Sequence, residues 1–443
     1  MIQTTSLGRI AVITSVLMAC SVTAAPRAAV PQGPSGLGAT SNVINSSTVA
    51  PGPSTAPGIA STMAPVGGTP AATAVPSYGA VGDVPSRATV AATPVETSPS
   101  DTTLVTTRGK MIMGVYLDHV CDGSGCPNLD AFVASMGGVS PKIVPIFQPW
   151  LAASENGTCS TTTVWNCFDG SAMTRIQDHA PGARVMISWQ PCLGACNPRV
   201  NSAENLPFKL SNIVRGDFDT YLHTWAQKAT TWRQPFYLRF AFEMNGNWFP
   251  WGNVYDNTPT LYKQAWRHVW SIFHTEAINQ GLTRSNAHFV WSPNSPCTCT
   301  WTFPRLYPGD KYVDVIGISA YNWGSANVFQ TWGHWQTMVQ AYSSSMSAIN
   351  TLTTSGVSRI KKPVWVTETG SAPANLSKAD WIKYGYPAAY NKWPRIKAII
   401  YFDALDPAGF DWRLTNPTIN GAHPALKAYR ALVHTTQFQG KLP

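Results

Sequence analysis

Between residues 108 and 442 the chain alternates two textures: short runs of β-branched and aromatic residues, and longer stretches of mixed polar and apolar residues. Eight runs stand out. They are MIMGVYLD (111–118), KIVPIFQPW (142–150), ARVMISWQP (183–191), FYLRFAFE (236–243), HFVWSPN (288–294), VDVIGISAYNW (313–323), VWVTETG (364–370) and IKAIIYFDALD (396–406). Runs of this length and composition predict strands. Between them, FDTYLHTWAQKATTW (218–232) and TLYKQAWRHVWSIFHTEAINQG (260–281) read as helices, the second stopping at Gly281. Alternating strands and helices predict a parallel sheet covered by helices, and eight repeats favour closure into a (β/α)8 barrel over an open sheet. No Gly-rich dinucleotide or phosphate loop follows the first run. In such a barrel the chemistry lies where strands end and the next loops begin.

Two of the runs, the fourth and the seventh, carry a glutamate at or near their carboxyl end. Strand alternation places Arg239, Ala241 and Glu243 on one side, with Glu243 last, and VWVTETG repeats the device with Val364, Val366 and Glu368. Asn245, Trp248, Phe249 and Trp251 follow the first acid closely. Opposed carboxylates suit glycoside hydrolysis, in which one acid protonates the leaving oxygen while the other attacks or stabilises the anomeric carbon. Indole rings offer flat faces to the C–H surfaces of sugars, so Trp248 and Trp251 fit a sugar cleft. Trp189, Asn294 and Trp323 also fall at strand ends and are expected sugar contacts. A single Glu after a strand is usually a solvated loop residue, and many of the 18 tryptophans must be core. What favours function is the pairing of two acids at equivalent places.

The first 107 residues have a different composition. Arg9, the apolar run Ile10 to Ala19 and small residues around Ala24 and Ala25 predict a secretory signal peptide over 1–25, too short to span a bilayer. LMAC at 17–20 also resembles a lipoprotein signal, with Cys20 as the lipidated residue. Residues 26–107 are rich in Pro, Ala, Ser and Thr and poor in charge and aromatics, which predicts a disordered linker or wall-spanning stalk. The barrel domain is then 108–443, and the protein is expected to be secreted or surface-tethered and monomeric.

Export agrees with the cysteines. Apart from Cys20 there are eight, at 121, 126, 159, 167, 192, 196, 297 and 299. Their spacing suggests local disulfides 121–126, 159–167 and 192–196, with Cys297 and Cys299 joined to each other or reaching elsewhere. A zinc site is the competing reading, and no His at finger-like spacing supports it. The net charge of +9 is spread over a chain only 12% charged, without a dense basic run, so nucleic acid is not an expected partner. The nine histidines form no H-E-x-x-H cluster, and neither metal nor organic cofactor is expected.

At RFAFEMNGNWFPWG, YPGDKYVDVIGISAYNW, VWVTETGS and the late DWR (411–413), the sequence resembles glycoside hydrolase family 26 over about residues 108–430. This is a (β/α)8 family of endo-β-mannanases, mixed-linkage β-glucanases and β-1,3-xylanases. The resemblance implies Glu243 as general acid/base and Glu368 as nucleophile in a retaining double displacement, with carboxyl groups on the order of 5.5 Å apart. It implies that Tyr321 hydrogen-bonds the nucleophile, that Trp248 and Trp251 line the cleft, and that Asn245 and Arg239 support the acid/base, with a purely structural role the alternative for Arg239. One position departs from the family pattern: Phe242 stands where the family usually has His before the acid/base, which removes a polar partner and adds an apolar wall. Asp118 and His119, at the end of the first run, are candidate replacements. The expectation is a secreted endo-β-glycanase acting on a polysaccharide, mannan first and mixed-linkage β-glucan or β-1,3-xylan next. A non-hydrolytic carbohydrate binder is the alternative from another class.

Overall fold

The computed structural model describes residues 109–121, 125–151, 166–193, 196, 206–296, 301–324, 335–354, 357–358, 361–373, 378–406 and 409–442. The expected signal peptide and linker lie outside them, as do Cys159, Cys297 and Cys299. Eight strands close into a barrel: β1 (Ile112–Leu117), β2 (Ile143–Leu151), β3 (Arg184–Leu193), β4 (Phe236–Phe240), β5 (Ala287–Trp291), β6 (Val315–Ser319), β7 (Val364–Thr369) and β8 (Ile396–Asp403). Every pairing is parallel and between sequence neighbours, with β8 returning to β1.

Helices follow each strand: α1 (Pro127–Ser135), α2 (Gly170–His179), α3 (Leu210–Arg215) with α4 (Asp219–Trp232), α5 (Pro259–Asn279), the one-turn α6 (Phe303–Leu306), α7 (Met338–Asn350), α8 (Lys378–Lys392) and α9 (Pro424–Val433). The two helices read from the sequence sit within one or two residues of their expected bounds. Helix α5 begins with a Thr258 side chain accepting from Leu261 N and with Pro259 in its first turn; Gly281, at φ 75°, ends the segment.

Alternation along the strands divides the core in two. Ile112, Met186, Tyr237, Val290, Val315, Trp365, Ala398 and Ile400 pack on one another inside the barrel. Val185, Ile187, Phe236, Leu238, Phe240, Ile316, Ile318, Val364 and Val366 face outward into the layer under the helices. Aromatic bulk concentrates in that outer layer, where Trp150, Trp189, Trp225 and Phe240 pack within ring-centroid distances of 4.7–6.1 Å. The apolar inner layer leaves the polar positions to the carboxyl end of the barrel. Disulfides join Cys121 to Cys126 and Cys192 to Cys196, two of the local pairs expected from spacing.

Candidate active site

The inward side of β4 continues from Tyr237 to Arg239, which is fully buried in the barrel. A guanidinium there needs partners, because an unpaired buried charge is costly. Its donors reach Ser188 Oγ at 3.2 Å on β3, Ser319 Oγ at 2.8 Å on β6, and Glu368 Oε1 on β7. The other carboxylate oxygen, Glu368 Oε2, accepts from Tyr321 Oη at 3.0 Å. Arg239 therefore holds Glu368, and its expected role beside Glu243 is corrected: an inward residue of β4 looks across the barrel at β7, whereas Glu243 lies on the rim.

How each carboxylate reaches the mouth also differs from simple alternation. On β7, Val364 and Val366 face the helices, so strict alternation would send Glu368 outward with them. The ladder instead slips between Ile318 and Ser319 on β6, pairing Ile318 with Val366 but Ser319 with Glu368. This irregularity turns the acid inward. On β4 the strand ends at Phe240, before the expected Glu243, and the chain turns through left-handed backbone at Ala241 (φ 42°) and Glu243 (φ 53°). Glu243 N donates to Ser292 O at 2.7 Å, which fixes this turn against the end of β5. Two non-glycine residues in that region mark strain held by their surroundings.

Glu243 is buried among apolar groups. Trp248 Nε1 donates to its Oε2 at 2.8 Å, while Oε1 has no hydrogen-bond partner among the described residues. Burial, and then the charge of Glu368, push its carboxyl up to about 7, with Arg239, the Ser319 hydroxyl and Trp248 acting in the opposite direction. The loop around it explains the run of Gly and aromatics. A Cβ on Gly246 would lie 2.3 Å from the Trp248 ring, and one on Gly252 would lie 2.3 Å from Gly246 O, so both glycines permit the fold-over that brings Trp248 to Glu243.

Several expected sugar contacts are placed elsewhere. Trp189 is wholly buried under the helices, packed on Trp150, Trp225 and Phe273, because it occupies an outward position of β3. Trp251 is also fully buried: its Nε1 donates to Phe242 O at 2.6 Å and its ring stacks on Phe249 at 4.6 Å. It supports the loop from beneath and has no surface to offer a sugar. Asn245 is buried and clamps Asn294, accepting from its backbone N at 2.8 Å and donating to its O at 2.9 Å. This pair ties the β4 and β5 loops together. Phe242, 1% exposed, packs on Phe147 and Phe249 with the Arg239 guanidinium 4.1 Å from its ring centre. It underlies the mouth as a buried contact of Arg239, so the expected apolar wall is hidden.

Opposite this loop stands an aromatic wall. Tyr321 packs on Trp412 at 4.8 Å and on the half-buried Trp323 at 5.7 Å, and Trp412 in turn meets Phe410. Trp412 Nε1 is buried without a hydrogen-bond partner among the described residues. Next to it, at the ends of β1 and β8, Tyr116 Oη donates to Asp118 Oδ1 at 3.0 Å and Asp403 Oδ1 accepts from Leu414 N at 2.6 Å. Burial raises both carboxyls, that of Asp403 to about 6. Burial lowers the Lys378 ammonium to about 8, and it donates to the Asp411 and Arg413 carbonyls at 3.0 Å. His119 is exposed at φ 47°, which leaves Asp118 as the polar group at the end of β1.

The sequence reading did not place Ser188, Ser319, Trp412 or Asp403 in the site. Asp403 was within reach, since it lies near the end of the eighth run as Glu368 lies near the end of the seventh. The two serines carry no composition signal. Among the described residues, no group of three or more His, Cys, Asp or Glu is placed to hold a metal ion.

Comparison with known proteins agrees with this geometry. The family model for glycosyl hydrolase family 26 matches residues 196–392. Endoglucanase H of Acetivibrio thermocellus is 29% identical over 257 residues, 57% of this chain and 24% of that protein. A mannan endo-1,4-beta-mannosidase of Bacillus subtilis is 37% identical over 94 residues, 20% of this chain and 23% of the relative. A beta-1,3-xylanase of a Vibrio species is 29% identical over 130 residues, 28% of this chain and 26% of the relative. The chain thus spans about a quarter of the length of these curated relatives. Among solved structures, GH26C from Muricauda sp. MAR_2010_75 aligns with a TM-score of 0.51 at 18% identity, covering 76% of this chain and 88% of that one, which concerns the fold alone. The matched model, the relatives and the closed barrel together make the chain similar to glycosyl hydrolase family 26.

Proposed function

We propose that the protein is a retaining endo-β-glycanase in which Glu368 is the nucleophile and Glu243 the general acid/base. The observation that carries this reading is the contrast between two buried carboxylates at one barrel mouth. Glu368 is ion-paired to Arg239 and hydrogen-bonded by Tyr321, while Glu243 is buried with a carboxyl pushed up to about 7. A retaining glycosidase needs this division of labour: one group anionic and aimed at the anomeric carbon, the other still carrying a proton near neutral pH.

In the first step Glu368 attacks the anomeric carbon, the bond to the leaving oxygen breaks, and the Glu243 proton moves to that oxygen. In the second, Glu243 takes a proton from water, the water oxygen attacks the anomeric carbon, and Glu368 leaves as a carboxylate. Arg239 and Tyr321 orient Glu368 and carry part of its charge. Trp248 fixes Glu243 Oε2, which leaves Oε1 for the glycosidic oxygen.

The relatives named for mannan, glucan and β-1,3-xylan bonds support a β-linked polysaccharide as substrate, and β-1,4-mannan is the first choice. Export through the apolar leader, with a linker over 26–107 and a wall or membrane tether, belongs to the same proposal and rests on the sequence. The test is reducing-sugar release from mannan, galactomannan, barley β-glucan, β-1,3-xylan and cellulose by the parent protein and Glu368→Ala. Cleavage of one polymer, abolished in the variant, identifies enzyme and substrate together. Silence on all of them, with binding retained, contradicts the hydrolytic reading.

A further inference from the structure

Outside the mouth, one cavity has a chemistry the site description does not use. It has a volume of about 380 Å³ and is lined by Asn253, Asn257, Thr258, Thr260, Lys263, Trp301 and Arg305, among others. That volume falls within the roughly 300–1,000 Å³ typical of small-molecule sites. Its charge is one-sided: Lys263 and Arg305 line it and, among the described residues, no carboxylate does. Neither cation has an ion-pair partner among the described residues; Asp256, the nearest acid in sequence, pairs with Lys209 at 3.1 Å. The start of α5 supplies little of this character, because Thr258 Oγ1 already accepts from Leu261 N at 3.1 Å.

The cavity is coupled to the acid/base loop. Trp301 N donates to Asn245 O at 3.0 Å, two residues beyond Glu243, and Asn253 N donates to Gly246 O at 2.6 Å. It therefore adjoins the loop that delivers the proton, which is the leaving-group side of the bond being broken. Half-buried Trp301 offers a ring for a sugar face, the Asn and Thr side chains suit hydroxyls, and two unpaired cations suit a carboxylate.

Resting on the glycanase reading above, we propose that this cavity is a leaving-group-side subsite for a carboxylate-bearing sugar, so that the preferred polysaccharide carries uronic-acid groups.

The probe is lightly C6-carboxylated galactomannan and β-glucan, each beside its neutral parent polymer. Binding is read as retardation in native affinity gels, using Glu368→Ala protein so that no polymer is cut; hydrolysis is read with active enzyme. The expected result is stronger retardation by the carboxylated polymers, weakened about tenfold in Lys263→Gln/Arg305→Gln, as fits loss of charge-assisted hydrogen bonds. Hydrolysis of neutral polymer by that double variant should be unchanged. A matched pair, Lys383→Gln/Lys392→Gln, removes two exposed charges elsewhere and should leave the retardation intact. Equal retardation by neutral and carboxylated polymers, or equal loss from both pairs of substitutions, overturns the subsite. Carboxylate-dependent retardation without hydrolysis of any polymer would keep the subsite and overturn the glycanase reading.

Discussion

Glu243 and Glu368 are the same residue type at the same end of one barrel, yet the chain delivers them by opposite means. Glu368 stays on its strand, turned inward by a slipped ladder, and meets an arginine and a tyrosine. Glu243 leaves its strand, enters a left-handed turn, and is covered by a loop that brings one indole N–H and otherwise apolar surface. At the mouth Glu368 meets a cation and a phenol, whereas the apolar loop favours a proton on Glu243. Environment assigns the roles.

The sharpest way to break this comparison is to remove each carboxylate in turn. Glu368→Ala should lower kcat on the order of 10^5-fold or more, as expected for loss of a covalent nucleophile, measured on whichever polymer the panel identifies. Glu243→Ala should cost about 10²–10⁴-fold on polymer. It should cost far less on aryl glycosides whose leaving group needs no proton, and added azide should speed the second step there. An equal loss on both substrate types would contradict the acid/base role.

Arg239→Met tests the polar side. Leaving Glu368 buried without its cation should cost about 3–5 kcal/mol of stability by denaturant titration. The conservative Arg239→Lys should retain more stability but lose turnover, since an ammonium cannot keep all the contacts to Ser188, Ser319 and Glu368. Full activity in Arg239→Lys would show that this geometry does not matter.

A pH series tests the apolar side. With Glu243 pushed up to about 7, kcat/KM should fall as pH rises through that value. The same shift affects stability. The folded state keeps a proton that the unfolded state releases from the ordinary value of 4.5, so stability should decline between pH 4.5 and about 7 and then level off. Glu243→Gln should abolish that decline, worth on the order of 3 kcal/mol at its upper bound. The smallest effect is expected from Trp248→Phe. Loss of a donor to the carboxylate should move the alkaline limb of kcat/KM upward by about one unit. A downward shift would place Trp248 in another role.

The barrel was legible because eight strand-like runs and the helices between them obey one repeating period, and a closed parallel sheet satisfies that pattern. The acids were legible because they lie at or near the carboxyl ends of two equivalent runs. What failed were the placements of Trp189 and Glu368 relative to strand parity. Trp189 was read as a rim residue because it lies late in its run, but an outward position buries it under the helices. The parity given to Glu368 pointed the wrong way until the ladder irregularity turned it inward. Ser188 and Ser319 matter only because Arg239 reaches them, the first on the neighbouring strand β3 and the second on β6, from positions 51 and 80 residues away in sequence. Local pattern cannot carry that information.

The measurement closest to the central claim is covalent trapping. The enzyme would be incubated with 2-deoxy-2-fluoro disaccharides bearing a dinitrophenolate leaving group, digested, and the modified peptide sequenced by mass spectrometry. The account predicts a glycosyl ester on Glu368, formed by the parent protein and absent in Glu368→Ala. An ester on Glu243, or inverted product with no adduct on any residue, would contradict it.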